Sequence, residues 1–227
     1  MIQAIAERRS IRRYTDKDVP RRMIEEIIQA GILAPSAKNR QPWKFVVVTG
    51  NAKTKMLAAM QKGLAREKKE PLLPESALHL SGAEHTLSIM RQAPVTIFIM
   101  NVLAEKIGNC VLGDAPKKEM GGMLWQDTPE KACGEQFSTE DRITEICNTQ
   151  SIGAAIENMA LAATDLGLGS LWICDTFFAQ NELDEWLGAE GELFAALTIG
   201  YADETPHARP RKSMEDVVEW RDGAAVE

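Results

Sequence analysis

The 227-residue sequence has few of the residues that mark metal sites, disulfide frameworks and membrane spans. It contains three histidines and four cysteines; no two cysteines form a CxxC pair, and none has a histidine at ligand spacing. The sequence therefore predicts reduced thiols and no metal site. The longest apolar run, residues 93–104, is interrupted by Asn101 and falls short of the roughly 20 residues of a membrane helix. No secretion signal is evident, so we expect a cytoplasmic protein without a membrane span.

Other familiar signatures are missing as well. The formal net charge of −7 argues against a general nucleic-acid-binding surface. The sequence lacks the GxSxG motif of serine hydrolases and the GxxxxGK[ST] motif of nucleotide triphosphatases,. No two carboxylates are marked as an acid–base pair. These absences weaken hydrolytic and nucleotide-driven reaction schemes.

The apolar pattern predicts an α+β fold in one domain, residues 1–227. Strands are expected at residues 43–49, 95–100, 170–174 and 193–201, and helices after Pro20 and over residues 150–166. Helices and strands are mixed without regular βαβ alternation. Residues 103–147 are rich in glycine, proline and charge, which favours a lid-like insertion for substrate recognition. Plain disorder is the alternative for that segment.

Two basic clusters stand near the ends of the chain. The first contains Arg8, Arg9, Ser10 and Arg12, and the second contains Arg209 and Arg211. Arginines this close together repel one another unless an anion neutralises them, and the planar guanidinium suits a phosphate. A cation-rich helix end and a solvated tail are the simpler alternatives.

Two further segments offer groups for a flat ligand. Loop 34–43, APSAKNRQPW, carries donors and acceptors on Ser36, Asn39 and Gln41, and Pro35 limits its freedom,. Segment 167–175, GLGSLWICD, has glycines that allow a close backbone approach,. An ordinary polar turn and a helix C-cap explain these two segments equally well without a ligand.

Taken in order and spacing, the motifs RRSIRRY, APSAKNRQPW, AAIENMALAATDLGLGSLW, GY and RPRK resemble those of the FMN-dependent nitroreductase family. The resemblance covers most of the chain except about 64–148. It implies a central, mostly antiparallel sheet flanked by helices, and an intertwined homodimer with two FMN sites. It also implies NAD(P)H as electron donor and a small-molecule acceptor such as a nitroaromatic or a quinone.

The resemblance also assigns roles to residues. The N-terminal cluster would contact phosphate and flavin, the proline-bounded loop would reach the flavin from the partner subunit, and β-strand backbone would lie along the ring. Arg12 would tune the flavin, since a nearby cation favours its reduced state. The cofactor-binding residues expected are Arg8, Arg9, Ser10, Arg12, Pro35, Ser36, Asn39, Gln41, Trp172, Ile173, Cys174, Arg209 and Arg211.

Several alternatives remain open at this point. An FMN enzyme of the same fold with another donor, such as a dehydrogenase or a reductive dehalogenase, has the same motifs. A non-catalytic flavin-binding module or a phosphate-binding protein without flavin would also use the arginines. Substrate choice is expected in Met120, Met123, Leu124 and Trp125, which could equally be core residues. Cys174 is expected to be a packed thiol rather than a redox-active one.

Overall fold

The structure, a computed structural model, describes residues 1–71, 76–102 and 139–221. Most of the predicted insertion, residues 103–138, lies outside the described residues, as do the four side chains expected to choose the substrate. The remainder of that segment, residues 139–147, is helical.

A four-stranded sheet runs through the molecule in the order β1-β2-β4-β3, and every neighbouring pair is antiparallel. The α+β prediction and the antiparallel sheet are therefore confirmed, and each predicted strand is found within one residue. The strands are β1 Trp43–Thr49, β2 Val95–Asn101, β3 Gly169–Ile173 and β4 Glu192–Gly200.

Helices cover both faces of this sheet. The helices of the described ranges are α1 Gln3–Glu7, α2 Arg21–Ile32, α3 Ala52–Lys69, α4 Ser76–Gln92, α5 Thr139–Asp165, α6 Gln180–Leu187 and α7 Met214–Val217, with short 3₁₀ turns at Ala37–Asn39 and Asp175–Ala179. Of these, α7 is exposed and does not pack on the sheet.

The two faces follow from the alternation of side chains along the central strand β2, which is buried at every position,. Phe98 and Met100 pack on one side with apolar residues of α3 and α4, while Ile97 and Ile99 pack on the other with α2 and α5. Because both faces are covered, apolar and polar residues do not alternate along β2, and its only polar side chains are Thr96 and Asn101,.

Helix α5 begins at Thr139, well before the expected start near Gln150. Residues 139–147 are therefore helix and not irregular insertion, which corrects that boundary. The early turns gave no amphipathic signal, because Ile143 and Ile146 are exposed like the neighbouring Arg142 and Glu145. Without a buried stripe, periodicity cannot reveal a helix.

None of the helices in the described ranges combines the length and the apolar character that crossing a bilayer would require.

Candidate functional site

The N-terminal segment, residues 8–15, is fastened to one edge of the sheet. The backbone N–H of Ile11 donates to the carbonyl of Ser170 at 2.9 Å, and that of Thr15 donates to the carbonyl of Tyr201 at 2.9 Å. A Cβ at Gly169 would lie 2.6 Å from Cγ1 of Ile11, so glycine is what lets the segment approach β3 this closely. The first basic cluster is thereby held at the outer edge of the sheet.

Tyr14 anchors the same segment from inside. Its buried hydroxyl donates to the carbonyl of Ile11 at 2.9 Å and shares a 2.9 Å hydrogen bond with the hydroxyl of Thr198. Burial raises the pKa of the Tyr14 hydroxyl, so it stays protonated and remains a donor,.

The arginines of the segment differ in the ion pairs and hydrogen bonds that their guanidinium groups already form within the protein. Arg8 and Glu157 form an ion pair with 3.5 Å between Nε and Oε1, and Arg9 donates to the carbonyl of Ala6 at 2.8 Å. Arg12 is exposed, and among the described residues its guanidinium donates only to the carbonyl of Ser10, at 3.3 Å. Arg12 is therefore the cation most available to a ligand.

Beyond Ser170, the outer edge of β3 is open among the described residues. Ser10 pairs with Ser170 as an isolated parallel bridge, and β3 has β4 as its neighbour on the other side. Trp172 points toward α5 with 39% of its surface exposed, near Gly153. Ile173 is buried in the core, so only its backbone can face a ligand. An open strand edge offers backbone donors and acceptors to whatever lies along it.

Cys174 follows this edge directly, and its exposure shows that the packed-thiol expectation was wrong. The residue lies just past the end of an edge strand, where little chain covers it. Partial burial of its thiol and the charge of Asp175 raise the pKa of Cys174. The thiol is therefore accessible but neutral at physiological pH, which argues against an activated nucleophile.

Loop 34–43 adopts a strained conformation. Lys38, Asn39 and Gln41 have φ angles of 54°, 53° and 49°, in the left-handed region that residues other than glycine rarely adopt,. Such strain persists only where surrounding contacts impose it, and it concentrates at functional sites.

Two serine hydroxyls impose this conformation. The Oγ of Ser36 accepts from the backbone N–H of Gln41 at 3.0 Å. The Oγ of Ser151, on α5, accepts from the backbone N–H of Ala37 at 3.2 Å and donates to the carbonyl of Cys147 at 2.6 Å. Ser36 therefore shapes the loop, while Pro35, Asn39 and Gln41 are exposed and face outward. Sequence reasoning missed Ser151, because a serine within a helix carries no signal of a partner 114 residues away.

The second basic cluster lies on an exposed arm, residues 205–221. Arg211 donates to the carbonyls of Arg209 and Pro210 at 3.3 and 3.2 Å, both within the arm. In the part of the chain that the structure describes, no hydrogen bond or ion pair joins this arm to the body. A single chain thus does not bring the two basic clusters into contact.

Glu204, which sequence reasoning also missed, lies where this arm leaves β4. Its carboxylate accepts from the backbone N–H groups of Arg12 and of Arg13, the latter at 3.1 Å. It also faces the guanidinium of Arg13, with 3.8 Å between Nε and Oε2. The sequence offered only a weak signal, two adjacent acidic residues, Asp203 and Glu204, just before the second basic cluster.

The donor set at this edge fits a phosphorylated, flat heteroaromatic molecule. Guanidinium groups and the Ser10 hydroxyl suit phosphate, Trp172 offers an aromatic face, and the open edge of β3 offers backbone groups to the rim of a ring. Across the described ranges, no group of three or more histidine, cysteine or acidic side chains is placed to hold a metal ion.

Comparisons with known proteins show the family and the fold. A model of the nitroreductase family matches residues 5–201. A Methanothermobacter thermautotrophicus protein, provisionally named NADH dehydrogenase/NAD(P)H nitroreductase, is 29% identical over 172 residues, which span 76% of this chain and 59% of that protein. A Thermus thermophilus NADH dehydrogenase is 41% identical over 70 residues, 31% of this chain and 34% of its own. The chain thus aligns with less than two thirds of the length of each.

Solved structures show the same fold. A mutant of the FMN- and NADPH-dependent nitroreductase NfnB from a Sphingopyxis strain superposes with a TM-score of 0.67 at 20% identity, covering 97% of this chain and 98% of its own. A BluB-like flavoprotein from Clostridium difficile superposes with a TM-score of 0.65 at 24% identity, covering 96% of this chain and 97% of its own.

Proposed function

Because the chain belongs to the nitroreductase family, we propose that it is a homodimeric, FMN-dependent oxidoreductase. It takes two electrons from NAD(P)H and passes them to a small oxidised acceptor such as a nitroaromatic or a quinone. Residues 1–227 form one domain in this proposal, and the acceptor is chosen by the insertion that begins at residue 103.

The observation that carries the proposal is the half-covered edge of β3. The N-terminal segment covers the strand only as far as Ser170. It brings a row of guanidinium groups to that point and leaves the next three residues of the strand open. A ligand with an anionic tail and a flat polar ring matches this sequence of features.

The arginines and Ser10 hold the phosphate in this proposal. Arg8 and Arg9 are half-buried and already oriented by Glu157 and Ala6. Arg209 and Arg211 complete the phosphate-binding site when the exposed arm folds over a site of the dimer. Each charge-assisted hydrogen bond of this kind contributes about 1.5–3 kcal/mol.

The remaining residues orient the ring and exclude water. The backbone of Trp172, Ile173 and Cys174 lies along it, and the exposed Pro35, Asn39 and Gln41 cover it from the second copy of the chain. Their strained loop is fixed in advance, so little conformational entropy is lost on binding. Arg12 places a positive charge near the ring.

FMN, when bound, supplies the hydride acceptance and release that the side chains cannot. The protein's own contribution is electrostatic, since a fixed cation beside the ring favours the state with more electrons. This division explains why the sequence needs no acid–base pair. The neutral thiol of Cys174 takes no part.

The visible spectrum of the purified protein tests the proposal first. We expect a bound yellow cofactor, released by denaturation and identified as FMN, and bleaching of its absorbance by NADH or NADPH in an anaerobic stopped-flow experiment. Oxidation by a nitroaromatic or a quinone should restore the colour.

The other outcomes separate the alternatives. A bound flavin that neither nucleotide bleaches would favour an FMN enzyme with another donor. Bleaching without turnover on any acceptor would favour a flavin-binding module. A protein that stays colourless after incubation with excess FMN would contradict the proposal altogether.

A further inference from the structure

We propose that Glu204 is a positioning residue: its carboxylate fixes the backbone of Arg12 and so aims the Arg12 guanidinium at the flavin. The inference rests on the proposed function and adds a residue to which neither the motifs nor the family match gives a role.

The contacts around Glu204 form a closed clamp between two segments of chain. One carboxylate oxygen accepts from two successive backbone N–H groups, those of Arg12 and Arg13. The clamp is closed on its other side, because Arg13 donates from Nη2 to the carbonyl of Asp203 at 3.0 Å and its own carbonyl accepts from the Asp203 N–H at 2.9 Å. Only 20% of the Glu204 side chain is exposed.

The charges within this clamp explain why two adjacent arginines are present. A carboxylate beside a phosphate-binding cluster repels the anion unless its charge is neutralised. Arg13 and the two N–H groups neutralise Glu204, whereas no ion pair joins Arg12 to this carboxylate among the described residues. Arg13 therefore holds the clamp, and Arg12 keeps its full charge for the ligand.

Glu204 also fixes the point from which the exposed arm departs. Arg209 is five residues farther along the chain, and five extended residues span roughly 18 Å at most. The clamp therefore keeps the start of the second basic cluster within reach of the first. One carboxylate links the two segments that the proposed phosphate site needs.

Three substitutions of Glu204 separate the effect of side-chain length from the effect of charge. Glu204→Gln keeps an acceptor oxygen at the same distance without the charge, Glu204→Asp keeps the charge with a shorter side chain, and Glu204→Ala removes both. The control is Glu182→Gln. Glu182 is a buried carboxylate that accepts from Nε of Arg66 at 2.9 Å and joins α6 to α3 away from the site.

Two properties of the full-length protein are measured. The first is the dissociation constant of FMN, from quenching of its fluorescence on addition of flavin-stripped protein. The second is the midpoint potential of bound FMN, from equilibration with a reference dye. Circular dichroism checks that each variant is folded.

We expect Glu204→Ala and Glu204→Asp to weaken FMN binding about tenfold or more, because the displaced Arg12 guanidinium loses a charge-assisted hydrogen bond to the cofactor. Both should shift the midpoint potential to more negative values, in the same direction as Arg12→Ala. Glu204→Gln should stay near the wild type in both measurements, and Glu182→Gln should lower stability without moving either. In the double variant with Arg12→Ala, Glu204→Ala should shift the potential no further.

Opposite results overturn the inference. If the wild type binds FMN and Glu204→Ala binds it with unchanged affinity and potential, Glu204 has no positioning role while the proposed function stands. If Glu204→Gln behaves like Glu204→Ala, the charge and not the acceptor geometry matters, and the clamp is refuted. A wild type that binds no FMN overturns the proposed function, and this inference with it.

Discussion

Two arginine-rich segments of this chain have similar compositions and opposite structural states. The N-terminal segment, residues 8–15, is tied by backbone hydrogen bonds to Ser170 on β3 and to Asp203 just past β4. In the described structure, the C-terminal arm, residues 205–221, forms hydrogen bonds and ion pairs only within itself. Similar sequence chemistry thus yields one cluster fixed to the sheet and one on an arm that lacks such contacts in the described structure.

The difference assigns separate tasks to the two segments. Ordering a free backbone costs about 1–2 kcal/mol per residue, so the arm cannot hold a ligand unless other contacts stabilise it. It carries apolar side chains for such contacts, since Met214, Val217 and Trp220 are 65%, 62% and 75% exposed. In the proposed homodimer, the second copy covers them. The fastened segment fixes where the cofactor binds, and the arm closes the site after assembly.

Truncation after Thr205 removes the C-terminal arm and should have the largest effect on dimerisation and FMN binding. We expect the shortened chain to be monomeric and to bind FMN at least about a hundredfold more weakly, because it loses the guanidinium groups of Arg209 and Arg211. Light scattering after gel filtration and the ratio of flavin to protein absorbance measure the two effects. The sheet should remain folded, since the described arm makes no hydrogen bond to it.

A truncated chain that is still dimeric and yellow would show that the arm is dispensable. The full-length Arg209→Ala/Arg211→Ala variant is the matched control. It should remain dimeric and lose most of the FMN affinity, which separates the role of the charges from that of the apolar residues.

Loosening the fastened segment should have the next largest effect. Tyr14→Phe removes the hydroxyl that bonds Ile11 and Thr198 inside the protein. We expect the free energy of unfolding to fall by about 1–2 kcal/mol, because the Ile11 carbonyl loses its donor and the buried Thr198 hydroxyl loses its hydrogen-bond partner,. FMN binding should weaken less than tenfold. Urea denaturation followed by circular dichroism measures the change.

Tyr201→Phe is the control, since among the described residues the Tyr201 hydroxyl has only a 3.9 Å contact with the sulfur of Met23. Its stability should stay within about 0.5 kcal/mol of the wild type, as for most substitutions without a specific partner. Equal losses in the two variants would mean that the Tyr14 hydroxyl does not fasten the segment.

The contrast also shows which features could be predicted from the sequence. The strands were found because their apolar runs are short and bounded by turn residues, as in Val95–Asn101,. The first basic cluster was predicted as an anion site because arginines rarely crowd without an anion. The start of α5 was missed because its first turns expose Ile143 and Ile146 and lack the buried stripe that periodicity needs.

The contacts that hold the fastened segment, and that the arm lacks in the described structure, join residues far apart in the sequence. Glu204 reaches Arg12 across 192 residues of sequence, and Ser151 reaches Ala37 across 114. No local pattern encodes such pairs, because each partner is an ordinary polar residue in its own segment. The same limit applies to Cys174, whose exposure depends on what the rest of the fold leaves uncovered.

The strained loop is a second fastened element, and a matched pair of α5 variants tests it. Ser151→Ala removes the hydroxyl that holds Ala37, whereas the Thr164 hydroxyl donates, within the described ranges, only to the carbonyl of Ala160, at 3.0 Å. We expect Ser151→Ala to lower stability by about 1 kcal/mol and to weaken FMN binding several-fold, because the loop can relax. Thr164→Ala should leave FMN affinity unchanged. Equal affinities in the two variants would show that the hydrogen bond from Ala37 to Ser151 does not hold the loop for FMN binding.

The smallest effect is expected at Cys174, which lies at the open end of the strand that receives the fastened segment. Because burial and Asp175 raise the pKa of its thiol, the reactive thiolate is scarce at pH 7.5 and increases only above the usual value of about 8.5. In the flavin-free protein, alkylation of Cys174 by iodoacetamide, followed by peptide mass spectrometry, should therefore be slow at pH 7.5 and accelerate toward pH 10. Cys174→Ser should leave FMN binding and the rate of reduction by NAD(P)H unchanged. Fast alkylation at pH 7.5, or loss of reduction in the serine variant, would instead mean that the open edge of β3 carries an activated thiol.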